Sequence, residues 1–88
     1  MRYTDNGAED IKIAYIGGGS RGWAWGLMSD LAAAQDMSGS VFLYDIDREA
    51  AARNECIGNK MKDLKECRSA WNYKAVETMK EALTGADF

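Results

Sequence analysis

One stretch near the start of the chain decides its fold, and it reads Lys12-Ile13-Ala14-Tyr15-Ile16-Gly17-Gly18-Gly19-Ser20-Arg21-Gly22. The part before the glycines is mostly apolar and partly β-branched, which is typical of a strand buried on both faces of a parallel sheet. The glycines end this strand, and apolar residues then recur at helical spacing. The stretch therefore predicts a strand, a glycine-rich loop and a helix in direct succession.

Outward from this stretch, the sequence predicts a second strand and a second helix. The apolar stripe of the first helix is expected to consist of Trp23, Leu27, Leu31 and Ala34. A turn is predicted at Met37-Ser38-Gly39-Ser40 and a buried strand at Val41-Phe42-Leu43-Tyr44. Asp47 is placed to cap the second helix. The predicted buried stripe of that helix consists of Ala50, Asn54, Ile57, Met61 and Leu64.

The last part of the chain continues the alternation of strands and helices. A third strand is predicted at Tyr73-Lys74-Ala75-Val76. Thr78 and Glu81 have the spacing of a capping box that opens a short helix, and Gly85 is expected to end it. The closing residues, Gly85-Ala86-Asp87-Phe88, have the pattern of a fourth strand just beginning.

This order of elements predicts the α/β class. Strands that alternate with helices at such spacing form a Rossmann-like doubly wound parallel sheet, and β-α-β-α-β-α is its N-terminal portion. We expect residues 1–10 to be a polar N-terminal tail and residues 11–88 to be an incomplete Rossmann-like domain. Because finished domains rarely stop on the first residues of a central strand, the 88 residues are expected to be a piece of a longer protein.

The glycine-rich loop, residues 17–22, carries the pattern G-x-G-x-x-G between a strand and a helix, which is the context of a dinucleotide-binding fingerprint. Gly17 would permit the tight turn, Gly19 would let a pyrophosphate approach the backbone, and Gly22 would let the helix pack closely on the sheet. The N–H groups around Ser20 and Arg21 would then face the phosphates at the positive end of the helix.

An acid after the second strand supplies the other half of the fingerprint. Asp45 lies about 20 residues beyond the loop, where a carboxylate accepts hydrogen bonds from the adenosine ribose. Its charge would repel a 2′-phosphate, so NAD is favoured over NADP, and we interpret Arg48 as facing solvent. Asp47 invites a metal-site hypothesis, but capping explains it better. The predicted cofactor-binding set is Gly17, Gly18, Gly19, Ser20, Arg21, Gly22 and Asp45.

Composition excludes several functional classes. Eleven Lys and Arg against fourteen Asp and Glu leave no basic excess, which argues against an electrostatic nucleic-acid binder. No apolar run has the length of a secretory signal or a membrane span, so no membrane partner is expected. The chain contains no His and therefore no His-based metal site or general base. Cys56 and Cys67 do not form a C-x-x-C pair, and free thiols in a reducing cytoplasm are expected.

Four segments together resemble the N-terminus of the family 4 glycoside hydrolases. They are residues 12–20, Met28-Ser29-Asp30-Leu31, Leu43-Tyr44-Asp45-Ile46-Asp47, and residues 81–88. The resemblance covers nearly the whole chain, and the Gly-Gly-Gly-Ser loop and the Asp-Ile-Asp segment are its most specific parts. Carried over residue by residue, it matches Gly17, Gly18, Gly19 and Ser20 to the nucleotide loop and Asp45 to the ribose-binding acid.

The resemblance implies a glycosidase that works by redox chemistry. Held NAD would oxidise the 3-hydroxyl of the sugar, elimination would release the aglycone, and water addition and reduction would follow. The family also implies a divalent metal, usually manganese, and a catalytic base. The residues that provide them would lie outside this chain, so it carries no catalytic or metal residue of the site. Arg21-Gly22-Trp23-Ala24 departs from the Ser-Tyr-Thr-Pro of the phospho-glycosidase branch, which favours unphosphorylated sugars and α-galactosidase or α-glucosidase-like relatives.

Two alternatives remain open from the sequence. A lactate or malate dehydrogenase-like enzyme shares the nucleotide fold and would convert NAD stoichiometrically with its substrate. A non-catalytic nucleotide-binding fragment is the second alternative, because 88 residues alone would leave an exposed sheet edge. We expect the isolated chain to be inactive and marginally stable or oligomeric, and the full-length enzyme to be a homo-oligomer acting on a small glycoside.

Overall fold

The computed structural model describes residues 1–63, 67 and 69–88 of the chain. It contains four strands, β1 to β4, three α-helices, α1 to α3, and one 3₁₀ turn. In chain order these are β1 (Arg2–Thr4), β2 (Gly7–Ile16), α1 (Gly22–Ala33), β3 (Met37–Tyr44), α2 (Arg48–Lys60), the 3₁₀ turn (Met61–Asp63), β4 (Trp71–Ala75) and α3 (Met79–Leu83). Within these ranges, no helix is both long and apolar enough to cross a bilayer.

The four strands form one sheet in the order β1-β2-β3-β4. Strands β2, β3 and β4 are parallel to their neighbours, and only β1 is antiparallel, to β2. The predicted α/β class with a Rossmann-like parallel sheet is therefore confirmed. The predicted fourth strand is present as backbone pairing alone: Ala14 N–H donates to Phe88 O at 2.9 Å, and Asp87 N–H donates to Lys12 O at 2.7 Å.

The core lies between the sheet and the first two helices. Helices α1 and α2 contact each other, whereas α3 contacts β2 and β3. The central cluster of buried side chains comes from three strands and two helices, and its largest members include Ile11, Met28, Leu31, Val41, Leu43, Trp71 and Tyr73. Burying such apolar side chains is worth about 1.5–3 kcal/mol each, so this cluster is what holds the helices on the sheet.

The buried face of α1 differs from the predicted stripe. Trp23 is 83% exposed, and the buried residues of α1 are Ala24, Met28 and Leu31. Leu27 packs partly against the core. Both stripes have helical spacing and both contain Leu31, so periodicity alone could not choose between them. The buried face of α1 is centred on Ala24 and Met28, and the prediction for Trp23 was wrong.

The amino-terminal half of the sheet contains two further corrections. Residues 37–40, predicted as a turn, begin strand β3, and Gly39 is needed there because a Cβ would meet the backbone of Ile11. Residues 1–10 are not a tail outside the sheet, since β1 pairs with the start of β2. Asp10 has a φ of 55° beside a register shift, so a bulge separates this hairpin from the predicted strand.

Several local signals are confirmed. Ala50 N–H donates to Asp47 Oδ1 at 3.1 Å, so Asp47 caps α2. Thr78 caps α3, with Glu81 N–H donating to Thr78 Oγ1 at 3.1 Å, whereas the Glu81 carboxylate accepts from Thr78 Oγ1 rather than from Thr78 N–H as in a full capping box. Gly85 follows α3 with a φ of 71°, as a glycine after a helix end does. Leu64, predicted in the stripe of α2, lies outside the described residues.

Candidate nucleotide-binding site

The glycine-rich loop joins the carboxyl end of β2 to α1 and is fixed against the end of β3. Gly17 adopts a φ of 87°, which glycine reaches without steric cost. Gly17 N–H and Gly18 N–H both donate to Tyr44 O, at 2.8 and 2.9 Å, and Ser20 N–H donates to Gly17 O at 3.1 Å. The loop is therefore a tight turn whose first half is held by the neighbouring strand.

Close packing at this loop requires Gly18 and Gly19. A Cβ on Gly18 would lie 2.8 Å from Leu43 Cβ, and a Cβ on Gly19 would lie 2.7 Å from Ala50 Cβ. A Cβ on Gly22 would meet no atom within 4 Å. The packing role predicted for Gly22 is thus carried by Gly18 and Gly19, because it is the loop itself that lies against β3 and α2.

Asp45 lies at the carboxyl end of β3 and is hydrogen-bonded to the loop. Gly19 N–H donates to Asp45 Oδ2 at 2.9 Å, and Asp47 N–H donates to Asp45 Oδ1 at 2.9 Å. Each carboxylate oxygen has a second lone pair, so both can accept a further hydrogen bond. The structure brings the predicted acid and the predicted loop into direct contact.

The start of α1 has the electrostatics of an anion-binding helix end. The helix begins at Gly22 with Arg21 as its N-cap, and its first turn contains no acidic residue. Ala24 N–H donates to Ser20 Oγ at 3.2 Å, whereas the N–H groups of Gly22 and Trp23 have no acceptor within the helix. The partial positive charge of this end and the exposed Arg21 would both attract a phosphate.

Asn54 is a site residue that the sequence did not reveal as one. It is 1% exposed on α2, and its Nδ2 donates to Gly18 O and to Ser20 O, both at 2.8 Å. Trp25 Nε1 donates to Asn54 Oδ1 at 2.9 Å. The sequence placed Asn54 only in the buried stripe of α2. The available signal was that a buried amide must find partners, and none was predicted for it.

The remaining charged candidates do not add to this site. Arg48 is exposed on the first turn of α2, as interpreted from the sequence, and Asp47 is engaged in capping. Across the described residues, no group of three or more His, Cys, Asp or Glu side chains is placed to hold a metal ion. Cys56 and Cys67 are free thiols, with Cys56 exposed and Cys67 beyond the end of α2.

Comparisons with known proteins identify the family of this chain. The sequence model of the family 4 glycosyl hydrolases matches residues 12–88. An alpha-galacturonidase of Thermoanaerobacter italicus is 62% identical over 88 residues, which are all of this chain and 18% of that protein. An alpha-galacturonidase of Thermoanaerobacterium saccharolyticum is 59% identical over the same 88 residues, which are 19% of its length.

A solved structure shows the same fold. A Bacillus subtilis protein described as a glucosidase superposes with a TM-score of 0.81 at 55% sequence identity, covering 91% of this chain and 17% of that protein. The chain thus spans a little under one fifth of the length of the relatives that it matches. On the family match and the fold together, the chain belongs to family 4 of the glycosyl hydrolases.

Proposed function

We propose that this chain is the NAD-binding part of a glycosidase that cleaves O-glycosidic bonds by oxidation, elimination, addition and reduction. One observation carries the proposal: the Asp45 carboxylate accepts a hydrogen bond from Gly19 N–H of the glycine-rich loop, beside the start of α1. Ribose recognition and phosphate recognition need these two parts side by side at the carboxyl edge of a parallel sheet.

The phosphate half of the proposal rests on the loop and on α1. The first-turn N–H groups of Gly22 and Trp23 and the guanidinium of Arg21 are the donors available to a pyrophosphate. Because Gly18 and Gly19 lie within contact distance of β3 and α2, the loop is packed closely against the protein. A dinucleotide could approach the loop backbone without meeting a side chain of residues 17–19.

The ribose half rests on Asp45. Its two carboxylate oxygens are oriented by the N–H groups of Gly19 and Asp47 and keep acceptor capacity for the two ribose hydroxyls. A 2′-phosphate would bring like charge against this carboxylate, and exposed Arg48, three residues further along the chain, is a cation that could compensate. We therefore propose NAD rather than NADP as the cofactor.

The division of labour follows from these residues. When bound, the nicotinamide would supply reversible hydride transfer at the 3-hydroxyl of the sugar. The chain itself binds and orients, because it contains no His, and its described carboxylates near the loop are engaged with backbone N–H groups. A divalent metal, manganese in this proposal, and a catalytic base would come from residues outside this chain, and the chain alone would be inactive.

The relatives favour a substrate class. Proteins 56–62% identical to this chain are named alpha-galacturonidases. We propose an α-galacturonide as the substrate of the protein to which this chain belongs. This choice agrees with the interpretation that its sugars are unphosphorylated.

The test is turnover of an α-galacturonide by the intact gene product after bound nucleotide has been removed. With Mn²⁺ present, we expect aglycone release only when NAD⁺ is added. Each NAD⁺ should support many turnovers, and no net NADH should accumulate. Stoichiometric accumulation of NADH would identify a dehydrogenase instead. Cleavage that is unaffected by removing and restoring NAD⁺ would contradict the redox mechanism.

A further inference from the structure

The buried side-chain amide of Asn54 binds the middle of the glycine-rich loop from the side of helix α2. Its two N–H groups bond to the carbonyl oxygens of Gly18 and Ser20, on either side of Gly19, at 2.8 Å each. Gly19 N–H is in turn bound by Asp45. Asn54 and Asp45 therefore bind the two sides of one peptide group, Gly18–Gly19, and Asn54 also binds the Ser20–Arg21 peptide group.

Trp25 determines which way the Asn54 amide faces. The indole Nε1 of Trp25 can only donate, so the Asn54 atom that meets it at 2.9 Å must be the oxygen. The Asn54 nitrogen is then directed to the two carbonyls. The orientation of this amide is thus determined by its partners, and both of its donors are used.

Peptide geometry transmits this arrangement to the outer side of the loop. In a trans peptide the C=O and the following N–H point in opposite directions, and no peptide bond here is cis. Gly18 C=O points to Asn54, and Gly19 N–H points the opposite way, to Asp45. By the same rule, because Ser20 C=O points to Asn54, Arg21 N–H points away from α2 at the start of α1.

We propose that Asn54 is a positioning residue for the dinucleotide, and that Trp25 orients its amide. The inference rests on the proposed NAD site. Asn54 binds two loop carbonyls on the protein side, where they cannot face the phosphates, and it thereby turns Arg21 N–H toward the ligand. Without Asn54, the loop would visit conformations in which these carbonyls face outward. The apparent affinity for the dinucleotide would then fall in proportion to the fraction of molecules whose loop is in the binding-competent conformation.

Helix α2 also supplies a matched control. Asn59 forms two hydrogen bonds to the backbone of Tyr73, with Nδ2 donating to Tyr73 O at 2.9 Å and Oδ1 accepting from Tyr73 N–H at 2.8 Å. It lies on the same helix as Asn54 but bonds to β4 rather than to the loop. Replacing either residue with Ala removes two hydrogen bonds to backbone, and Asn54→Ala also removes the one from Trp25, so Asn59→Ala reports the effect of losing such backbone contacts alone.

The experiment is calorimetric titration of the nucleotide-free intact gene product with NAD⁺. We expect Asn54→Ala to weaken binding by about tenfold or more, since it abolishes two hydrogen bonds in a buried network. Trp25→Phe keeps an aromatic ring but loses the Nε1 donor with part of the indole, and should weaken binding by about two- to fivefold. Asn59→Ala should bind NAD⁺ within about twofold of wild type at a lower melting temperature. If Asn54→Ala does not fold, Trp25→Phe against Asn59→Ala decides the question.

A pH series separates positioning from general stability. Asn54→Asp places a carboxylate against two carbonyl oxygens, and only its protonated form can donate to one of them. The deficit in NAD⁺ affinity relative to wild type should therefore shrink as the pH is lowered towards about 5. A constant deficit across pH would overturn the proposal.

The remaining outcomes also decide between the two proposals. Equal NAD⁺ affinity in wild type, Asn54→Ala and Trp25→Phe would overturn the role of Asn54 and leave the NAD site intact. An equal loss in Asn54→Ala and Asn59→Ala would assign the effect to stability and also overturn it. Absence of NAD⁺ binding by the wild-type protein would overturn the proposed function and this inference with it.

Discussion

Two regions of helix α2 make the same kind of contact for different purposes. In the middle of the helix, Asn54 binds two carbonyls of the glycine-rich loop, and near its carboxyl end Asn59 binds both backbone groups of Tyr73. We call the first region, with the loop it binds, the loop end and the second the β4 end. Both residues are asparagines on one helix, so their partners, and not their residue type, separate the proposed binding site from a structural contact.

At the β4 end, side chains of α2 bind backbone groups at the edge of the sheet. Val76 N–H donates to Leu43 O, so the alternating groups of Tyr73 and Ala75 point away from β3. Asn59 binds both groups of Tyr73, and Glu55 accepts from Ala75 N–H. Side chains thus occupy positions at which another strand could pair, which is how edge strands are protected. The edge exposure expected from the sequence is reduced on this side.

The largest effect is expected from a substitution in the glycine-rich loop, at the loop end. Gly19→Val would place side-chain atoms against Ala50 and Asp45, where a Cβ alone lies 2.7 and 2.9 Å from their nearest atoms. We expect a loss of about 2–3 kcal/mol in the free energy of unfolding and loss of NAD⁺ binding. Urea unfolding and titration measure the two effects.

Gly22→Ala is the control for this change. A Cβ on Gly22 meets nothing within 4 Å, so stability should stay within about 1 kcal/mol of wild type, in the stabilising direction. A comparable loss of stability in both variants would contradict the close packing assigned to Gly19.

The second prediction concerns the β4 end, where side chains bind the backbone of the edge strand. The double variant Glu55→Ala, Asn59→Ala leaves three backbone groups of β4 without their side-chain partners. We expect a loss of about 1–2 kcal/mol and concentration-dependent self-association, with NAD⁺ affinity unchanged. Light scattering reports the association. A variant that remains as monodisperse as wild type would show that these side chains do not protect the edge.

A smaller effect is expected at the first turn of α2. Asp47→Ala removes the acceptor for Ala50 N–H and should lower the free energy of unfolding by about 1 kcal/mol. Asp47→Asn retains a side-chain oxygen and should recover most of this loss. Chemical denaturation of the three proteins measures both. Equal stability of Asp47→Ala and wild type would contradict the capping role.

The smallest effect is expected from the ionisation of Tyr73 at the β4 end, which does not change stability at neutral pH. Burial raises the pKa of Tyr73 from 10.0 to about 12, and the Cys67 thiolate adds to the shift. The unfolded chain loses this proton first, so the stability contribution is complete below about pH 10 and is lost as the pH rises to about 12. Difference absorbance of the tyrosines, with Tyr73→Phe as control, would show this late titration. A Tyr73 that titrates near 10 would contradict its burial.

The sequence predicted best where a local rule governs the outcome. The parallel strands, the Asp47 cap, the Thr78 cap and the Gly85 helix end all depend on short-range spacing. Predictions failed where distant segments decide. Trp23 and Ala24 are equally compatible with a helical stripe, and only tertiary packing selects between them.

The remaining differences have the same physical origin. Residues 37–40 have the composition of a turn, but pairing with β2 holds them in a strand. The polar residues 1–10 join the sheet through a hairpin, which no apolar pattern predicts. Asn54 could be recognised as buried, but its partners belong to a loop more than 30 residues earlier in the chain. Such long-range hydrogen bonds have no short-range signature.

The most direct test of the central claim is a comparison of NAD⁺ and NADP⁺ binding to the nucleotide-free intact gene product by calorimetry. The account predicts that NAD⁺ binds and that NADP⁺ binds about tenfold or more weakly, because the 2′-phosphate meets the Asp45 carboxylate. Asp45→Ala should weaken NAD⁺ by about 1–3 kcal/mol and reduce the preference. No NAD⁺ binding, or equal affinity for the two nucleotides in the wild type, would contradict it.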